Sequence, residues 1–452
     1  MTRYHLKINV WMAIFCFIAV NLFLPETNAG EFIVGVGTHF ADGKRSVEKS
    51  ISMIRSVGAA SIRDEVYWSN IEIKPREMII PRIFDSYINK AITTDISPLL
   101  ILDYGNNLYD NDYKGHEITK KQTMSTKPVT DTAVHAFGNY AAFVVKHYSQ
   151  KVKIFEIWNE WDHPKRPPTA TPESYYNLIS HVYPIIKSVD PSAKVIIGSV
   201  TPDGILSGWL NKLMSLGVMK YADGVSIHPY VHCNKSEKSK PEYWALWMKN
   251  LAGELKELNS GKEVQLYITE MGWPNDTGNC GTSIDIVPQY LSRMYLLAKT
   301  IPAIKGVWWY DFQDDGVDKS NREHNYGLVE HDLTPKPSYY AFRDVASLVR
   351  KSTFIEKLRT ESSLYALKFA NDDSSVTLAI WANNSMKATH IAINYSEMAG
   401  KKVAIQLIGN GPEWENKVVD RPSGNLSLSV TGTPILVKSP DVKLKILPRF
   451  SE

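Results

Sequence analysis

Short, nearly continuous apolar runs alternate with helix-patterned segments eight times between Gly30 and Leu348, and that rhythm narrows the fold more than any other feature. The runs cover residues 32–36, 60–63, 97–103, 152–157, 194–200, 224–230, 264–270 and 306–312. Strands this apolar need cover on both faces, the condition of a parallel sheet wrapped in helices. Helices are predicted over 47–57, 131–148, 172–189, 208–216, 243–258, 286–300 and 337–349, the third opened by Thr171 as N-cap and Pro172 in the first turn. The charged stretch after Arg63, with Tyr67 and Trp68, reads as a loop, and so does 108–130. Eight such units predict an α/β fold, a closed (β/α)8 TIM barrel over residues 30–350. An open doubly wound sheet is the alternative, but no Gly-x-Gly-x-x-Gly turn follows the first run to cradle a dinucleotide.

After Lys351 the texture changes. Runs at 364–369, 376–381, 389–393, 403–407 and 426–430 are short, alternate with period two and are separated by turn residues, with 434–437 as a closing strand. A β-sandwich over 351–452 follows. It reads either as a structural partner of the barrel or as a carbohydrate-binding module, and the first is favoured.

The barrel strands end in an odd way. The fourth closes on Trp158-Asn159-Glu160-Trp161, the seventh on Thr269-Glu270, the sixth on His228-Pro-Tyr230, the second on Arg63, and the eighth near Trp308-Trp309. A strand end needs a turn former, not an acid between an amide and two tryptophans. In a (β/α) barrel all carboxyl ends converge on one face, so Glu160 and Glu270 should meet across its mouth. Two carboxylates across a cleft are what glycoside hydrolysis requires. Alternation would point Asn159 and Glu160 to opposite faces, and both reach the cleft only if the strand ends or bulges there.

Ile157-Trp-Asn-Glu160 resembles the W-N-E signature of retaining clan A glycoside hydrolases, and Tyr267-Ile-Thr-Glu-Met-Gly-Trp273 is similar to their nucleophile strand. His228-Pro-Tyr230 resembles their His-x-Tyr element, and Gly327-Leu-Val with Thr334–Ala341 their last βα unit. The spacing and the sandwich are most similar to family 39-like enzymes, which include exopolysaccharide hydrolases and β-xylosidases. The resemblance implies Glu160 as general acid/base and Glu270 as nucleophile. It implies Asn159 on the sugar 2-hydroxyl, Arg63 and Tyr230 holding Glu270, His228 lining the site and Trp308 at the sugar. The physics agrees: a guanidinium and a phenol favour an ionised Glu270, and apolar neighbours such as Trp158 and Trp161 favour a protonated acid beside them. Trp244, Trp247 and Trp273 are either a subsite platform or core. The implied reaction is retaining cleavage of O-glycosidic bonds, endo-acting on a polysaccharide or oligosaccharide, with no cofactor. An exo-acting β-xylosidase-like glycosidase and a catalytically silent polysaccharide-binding protein are the alternatives, and the presence of both glutamates argues against the second.

Composition removes other classes. A formal charge of +3 without a basic stripe gives nucleic acid no footprint, and no Cys/His cluster has zinc spacing, so no metal site is predicted. Twelve Trp and 23 Tyr suit either a large core or sugar stacking. Arg3 and Lys7, the apolar run 10–24 and Thr27-Asn-Ala29 before Gly30 read as a cleaved signal peptide over 1–29. The protein is thus expected in the periplasm or outside the cell, with no integral membrane span after cleavage. Cys233 lies in the loop after strand six and Cys280 in the loop after strand seven. Neighbouring loops on one face can be stapled by a disulfide, and two free thiols are the competing reading.

Overall fold

A computed structural model describes residues 32–109, 126–163, 170–383, 388–420 and 423–447. The predicted signal peptide and most of the 108–130 loop lie outside the described residues. Eight parallel strands close into a barrel: β1 (Ile33–Gly37), β2 (Ser61–Tyr67), β3 (Ser97–Asp103), β4 (Ile154–Ile157), β5 (Lys194–Val200), β6 (Gly224–Ile227), β7 (Leu266–Met271) and β8 (Ile304–Trp309). Each pairs with its neighbour in chain order, and β8 returns to β1. The helices that cover it are α1 (Val47–Ser56), α2 (Arg82–Thr93), α3 (Asp131–Tyr148), α4 (Pro172–Val189), α5 (Trp209–Ser215), α6 (Pro241–Leu258), α7 (Val287–Ala298) and α8 (Pro337–Lys351).

The apolar runs divide by parity. Leu99, Ile101, Ile154, Ile196, Tyr267 and Trp308 point inward and form a small sealed cluster. Leu100, Leu102, Phe155, Ile157, Val195, Ile197 and Ile268 point outward into the main core beneath the helices. Burial on both faces is what the near-continuous apolar pattern demanded. Trp308 fits inside because Gly35 is its register partner across β1 and β8. A Cβ on Gly35 would come within 2.2 Å of the indole Cδ1.

The stretch read as a loop after Arg63 is structured instead: β2 runs on to Tyr67, a helical turn covers Trp68–Ile71, and Glu72–Lys74 pairs with Glu77–Met78. The stretch after Arg63 holds α2, whose Phe84, Tyr87, Ile88 and Ala91 are buried at helical spacing. The charge and aromatics of the segment before it masked that period. On α4, Thr171 accepts from Ser174 N and Ser174 returns a bond to Thr171, a capping box at the predicted start.

Beyond α8 follow β9 (Ser352–Lys357), β10 (Leu364–Asn371), β11 (Ser375–Ala382), β12 (Thr389–Asn394), β13 (Lys402–Leu407), β14 (Glu415–Val418), β15 (Asn425–Val430), β16 (Ile435–Pro440) and β17 (Lys445–Leu447). They build a six-stranded sheet, β9-β10-β11-β16-β13-β14, and a three-stranded one, β15-β12-β17, both antiparallel. The apolar patterning did not reveal β9 and β14, which are mostly exposed and polar, or β17, which has only three residues. Nor does β11 alternate. Its Leu378 and Ile380 face the sandwich core, while Ala379 and Trp381 belong to the main core of the barrel. The larger sheet is therefore covered on both faces. Among the described residues no helix is long and apolar enough to cross a membrane.

Cys233 and Cys280 are joined in a disulfide that closes a loop of sequence separation 47. A cross-link of that span restricts the unfolded chain by roughly 4 kcal/mol at most. A chain beginning at Gly30 should therefore show no reactive thiol when unfolded without reductant. Replacing both cysteines by alanine should lower its unfolding free energy by up to that amount in a denaturant titration. Two titratable thiols per unreduced chain would contradict the pairing.

Candidate active site

Backbone irregularities bring the polar residues to the mouth of the barrel. Past the end of β4, Trp158 and Glu160 adopt left-handed conformations, with φ of +69° and +49°. Such conformations are costly for residues with a Cβ and are held by their surroundings. They break the alternation, so Asn159 and Glu160 both reach site residues. On β7 the pairing with β8 slips between Ile268↔Val307 and Met271↔Trp309, two residues facing one. Thr269 and Glu270 consequently both make bonds inside the barrel and its mouth.

The centre of the site is the Arg63 guanidinium, 4% exposed. Its Nε donates to Glu156 Oε2 at 2.6 Å, Nη1 to Glu270 Oε1 at 2.7 Å and Nη2 to Asn159 Oδ1 at 2.8 Å. Tyr230 donates its hydroxyl to Glu270 Oε2 at 2.8 Å. Asn159 turns its amide hydrogens to Tyr104 Oη at 2.9 Å. His228 Nδ1 stands 3.0 Å from Glu160 Oε1 and 3.5 Å from Glu270 Oε2. His228, Glu160 and Glu270 each place one such atom within 4.8 Å of the others.

Burial alone would push the Glu270 carboxyl up. The charges of His228 and Arg63 and the bonds from Tyr230 and Arg63 outweigh it and hold Glu270 below the ordinary carboxylate range. Burial likewise opposes charge on His228, but the Glu270 and Glu160 carboxylates raise it above the ordinary histidine value.

The structure therefore brings together Arg63, Asn159, Glu160, His228, Tyr230 and Glu270. Trp308 does not join them, and its expected place at the sugar is corrected. It is fully buried in the inward cluster below the site, with Nε1 donating to Ser61 Oγ at 3.0 Å. An aromatic from the same chain end, Tyr310, takes the mouth instead, against Tyr230, Tyr326 and His39 at centroid distances of 6.4, 5.2 and 5.7 Å. Trp158 and Trp161 are also fully buried, packed on each other at 5.0 Å. The group facing the Glu160 carboxylate is His228, not an indole. Trp244 and Trp273 are core.

Sequence reasoning missed Glu156 and Thr269. Glu156 is fully buried and takes the Thr269 hydroxyl on Oε1 at 2.9 Å as well as Arg63 on Oε2. An acid inside an apolar run, two residues past the inward Ile154, was the available signal. Beside the site, His39, Asp311 and Asp315 form a second group with metal-ligand chemistry among the described residues. Arg45 already supplies a cation there, paired to Asp315 and 4.0 Å from Asp311.

Barrel, converging glutamates and the guanidinium paired to Glu270 together define a clan A glycoside hydrolase. The sequence profile described as "Cellulase (glycosyl hydrolase family 5)" matches residues 26–310, and the chain belongs to that family. A family 39 glycoside hydrolase from the gut symbiont Bacteroides cellulosilyticus WH2 superposes with a TM-score of 0.73 at 26% identity, over 90% of this chain and 81% of that one. A monomeric β-xylosidase from Caulobacter crescentus CB15 shares the fold, with a TM-score of 0.64 at 13% identity over 91% and 96% of the two chains. So does a family 30 endoxylanase from Clostridium papyrosolvens C71, with a TM-score of 0.62 at 12% identity over 91% and 97%. No curated protein matches the chain by sequence.

Tyr230→Phe keeps the ring and deletes one donor to Glu270. With burial less opposed, the titration of the Glu270 carboxyl should move up, read from its side-chain carbon resonance in the enzyme without substrate. An unmoved titration would remove Tyr230 from the set that holds this carboxylate.

Proposed function

We propose that the protein is a retaining glycoside hydrolase that cuts within a polysaccharide chain, with Glu270 as nucleophile and Glu160 as general acid/base. The observation that carries this is the spacing of the pair. Carboxylate oxygens of Glu160 and Glu270 lie within 4.8 Å of each other. Retaining enzymes hold their carboxyl groups about 5–5.5 Å apart, whereas inverting ones leave about 6.5–9.5 Å for a water. The division of labour follows from the surroundings. Glu270, held ionised by Arg63 and Tyr230, is suited to attack the anomeric carbon. Glu160 has no guanidinium partner among its hydrogen bonds and is the more open carboxyl, 21% exposed against 12%, so it can reach the leaving oxygen.

In the first step Glu270 would form a bond to the anomeric carbon while Glu160 protonates the departing glycosidic oxygen. In the second, Glu160 would take a proton from water as that water displaces Glu270. Asn159 has its oxygen committed to Arg63, so its amide hydrogens are what it offers to a sugar 2-hydroxyl, in exchange for Tyr104. An extended cleft is supported by aromatics on both flanks of the pair. Tyr67 stacks on Tyr104 on the Asn159 side, and Tyr230, Tyr310 and Tyr326 cluster on the Glu270 side. Export is supported by the disulfide, since such bonds persist in oxidising compartments.

Glu160→Gln and Glu270→Gln, made separately, should each cut turnover by about 10²-fold or more. The assay is a polysaccharide panel with product lengths read by mass spectrometry and product anomers by NMR. The β-to-β or α-to-α outcome and a ladder of intermediate lengths are expected. Undiminished breakdown by both variants would overturn the roles, and release of single sugars from chain ends would overturn endo action.

A further inference from the structure

Glu156 lies beneath the floor of the site, and its two oxygens serve different arms of it. Oε2 receives Arg63 Nε–H and Oε1 receives the Thr269 hydroxyl. The second bond has a direction. A threonine hydroxyl owns one hydrogen. Once that hydrogen is given to Glu156, Thr269 Oγ1 can only accept from the group opposite, His228 Nε2 at 3.2 Å. Nε2 must therefore carry a hydrogen, which leaves Nδ1 facing Glu160 Oε1 at 3.0 Å.

We propose that Glu156 is a positioning residue for both glutamates. Through Thr269 it fixes His228 in the Nε2–H form, so that Nδ1 shares the Glu160 proton, and through Arg63 it aims the fork that holds Glu270. Its use in catalysis rests on the retaining reading above, while the tautomer itself does not. The site then closes into a ring of His228, Thr269, Glu156, Arg63 and Glu270, with Glu160 joined to it at His228. Beyond the hydrogen on Nε2, the Glu160–His228 pair holds one proton. That proton leaves to the glycosidic oxygen in the first step and is regained from water in the second, so none is gained or lost over a cycle. The charged groups that bear on His228 are Glu270, Glu160 and Arg63, and the two carboxylates favour a proton at Nδ1 over the opposing Arg63.

Glu156→Gln tests the direction. Arg63 Nε can only donate, so it keeps the amide oxygen, and the amide nitrogen turns to Thr269. The Thr269 hydroxyl then reverses toward His228 Nε2, and the imidazole hydrogen must move to Nδ1. The readout is the long-range ¹H–¹⁵N imidazole spectrum of the full chain labelled in histidine, at a pH above the His228 titration and without substrate. The His228 signals are assigned by their loss in His228→Gln. The hydrogen is expected on Nε2 in the parent and in Thr269→Ser, and on Nδ1 in Glu156→Gln. Thr269→Val, which deletes the acceptor, should release the constraint and populate both forms, and it serves if the glutamine variant does not fold. A parent with a bare Nε2, or a folded Glu156→Gln or Thr269→Val with the hydrogen still wholly on Nε2, would overturn the proposal. On a polysaccharide that the enzyme degrades, the alkaline limb of the pH profile should fall in Glu156→Gln and stay in place in Thr269→Ser. Since the spectrum needs no substrate, failure of the tautomer and failure of the hydrolase reading are seen separately.

Discussion

A single buried guanidinium sets the terms for everything around it. Arg63 rises from β2 and reaches Glu156 on β4, Glu270 on β7 and Asn159 just past β4. Removing such a charge from water costs several kcal/mol, and attraction repays it only when geometry is good and the remaining donors are satisfied. Here the planar fork is matched by two carboxylates and an amide oxygen. The dependence runs both ways. Without Arg63, Glu156 and Glu270 would be two buried carboxylates with no strong cation between them. His228 stands next to this set, and the Glu270 and Glu160 carboxylates hold its proton more firmly against burial and the Arg63 charge. Glu160 and Arg63 share no bond, and His228 and Glu270 stand between them.

The barrel interior is layered in a way that explains where this network sits. Ile154, Tyr267 and Trp308 belong to the inward apolar cluster, and Trp308 donates to Ser61 Oγ. Two residues further along the same strands come Arg63, Glu156 and Thr269, and the level above them is the mouth. Period-two geometry stacks these levels without effort. It cannot by itself deliver Glu160 and Glu270 to the mouth, because each adjoins a residue that also faces inward. The left-handed residues after β4 and the slipped ladder on β7 do that work. Irregular backbone therefore appears where two consecutive side chains must be used.

This layering also says what a reader of the sequence can and cannot see. The eight runs were legible because burial on both faces removes polar residues from them, and their abrupt polar ends marked Glu160, His228, Tyr230 and Glu270. The place of Trp308 is not legible in the sequence, because its adjacency to Trp309 leaves parity open. Only the register that sets Gly35 against Trp308 decides which indole goes inward. Glu156 was visible as an acid within an apolar run but was read past, since its neighbours Phe155 and Ile157 look like ordinary strand. The β7 slip has no local signature. In the sandwich the alternation rule failed at β11 for a tertiary reason: its second face is covered by the barrel.

That covering includes one buried polar junction between sandwich and barrel. Trp381 on β11 donates to Glu242 Oε1 on α6 at 2.8 Å, and Arg293 on α7 donates to the same oxygen at 2.8 Å. Arg293 is fully buried, so this junction is a desolvated ion pair capped by an indole, not a surface contact. The two helices it ties together, α6 and α7, flank β7 in the chain, the strand that carries Thr269 and Glu270. The sheet that carries Trp381 therefore meets the barrel at the helices on either side of the Glu270 strand in the chain.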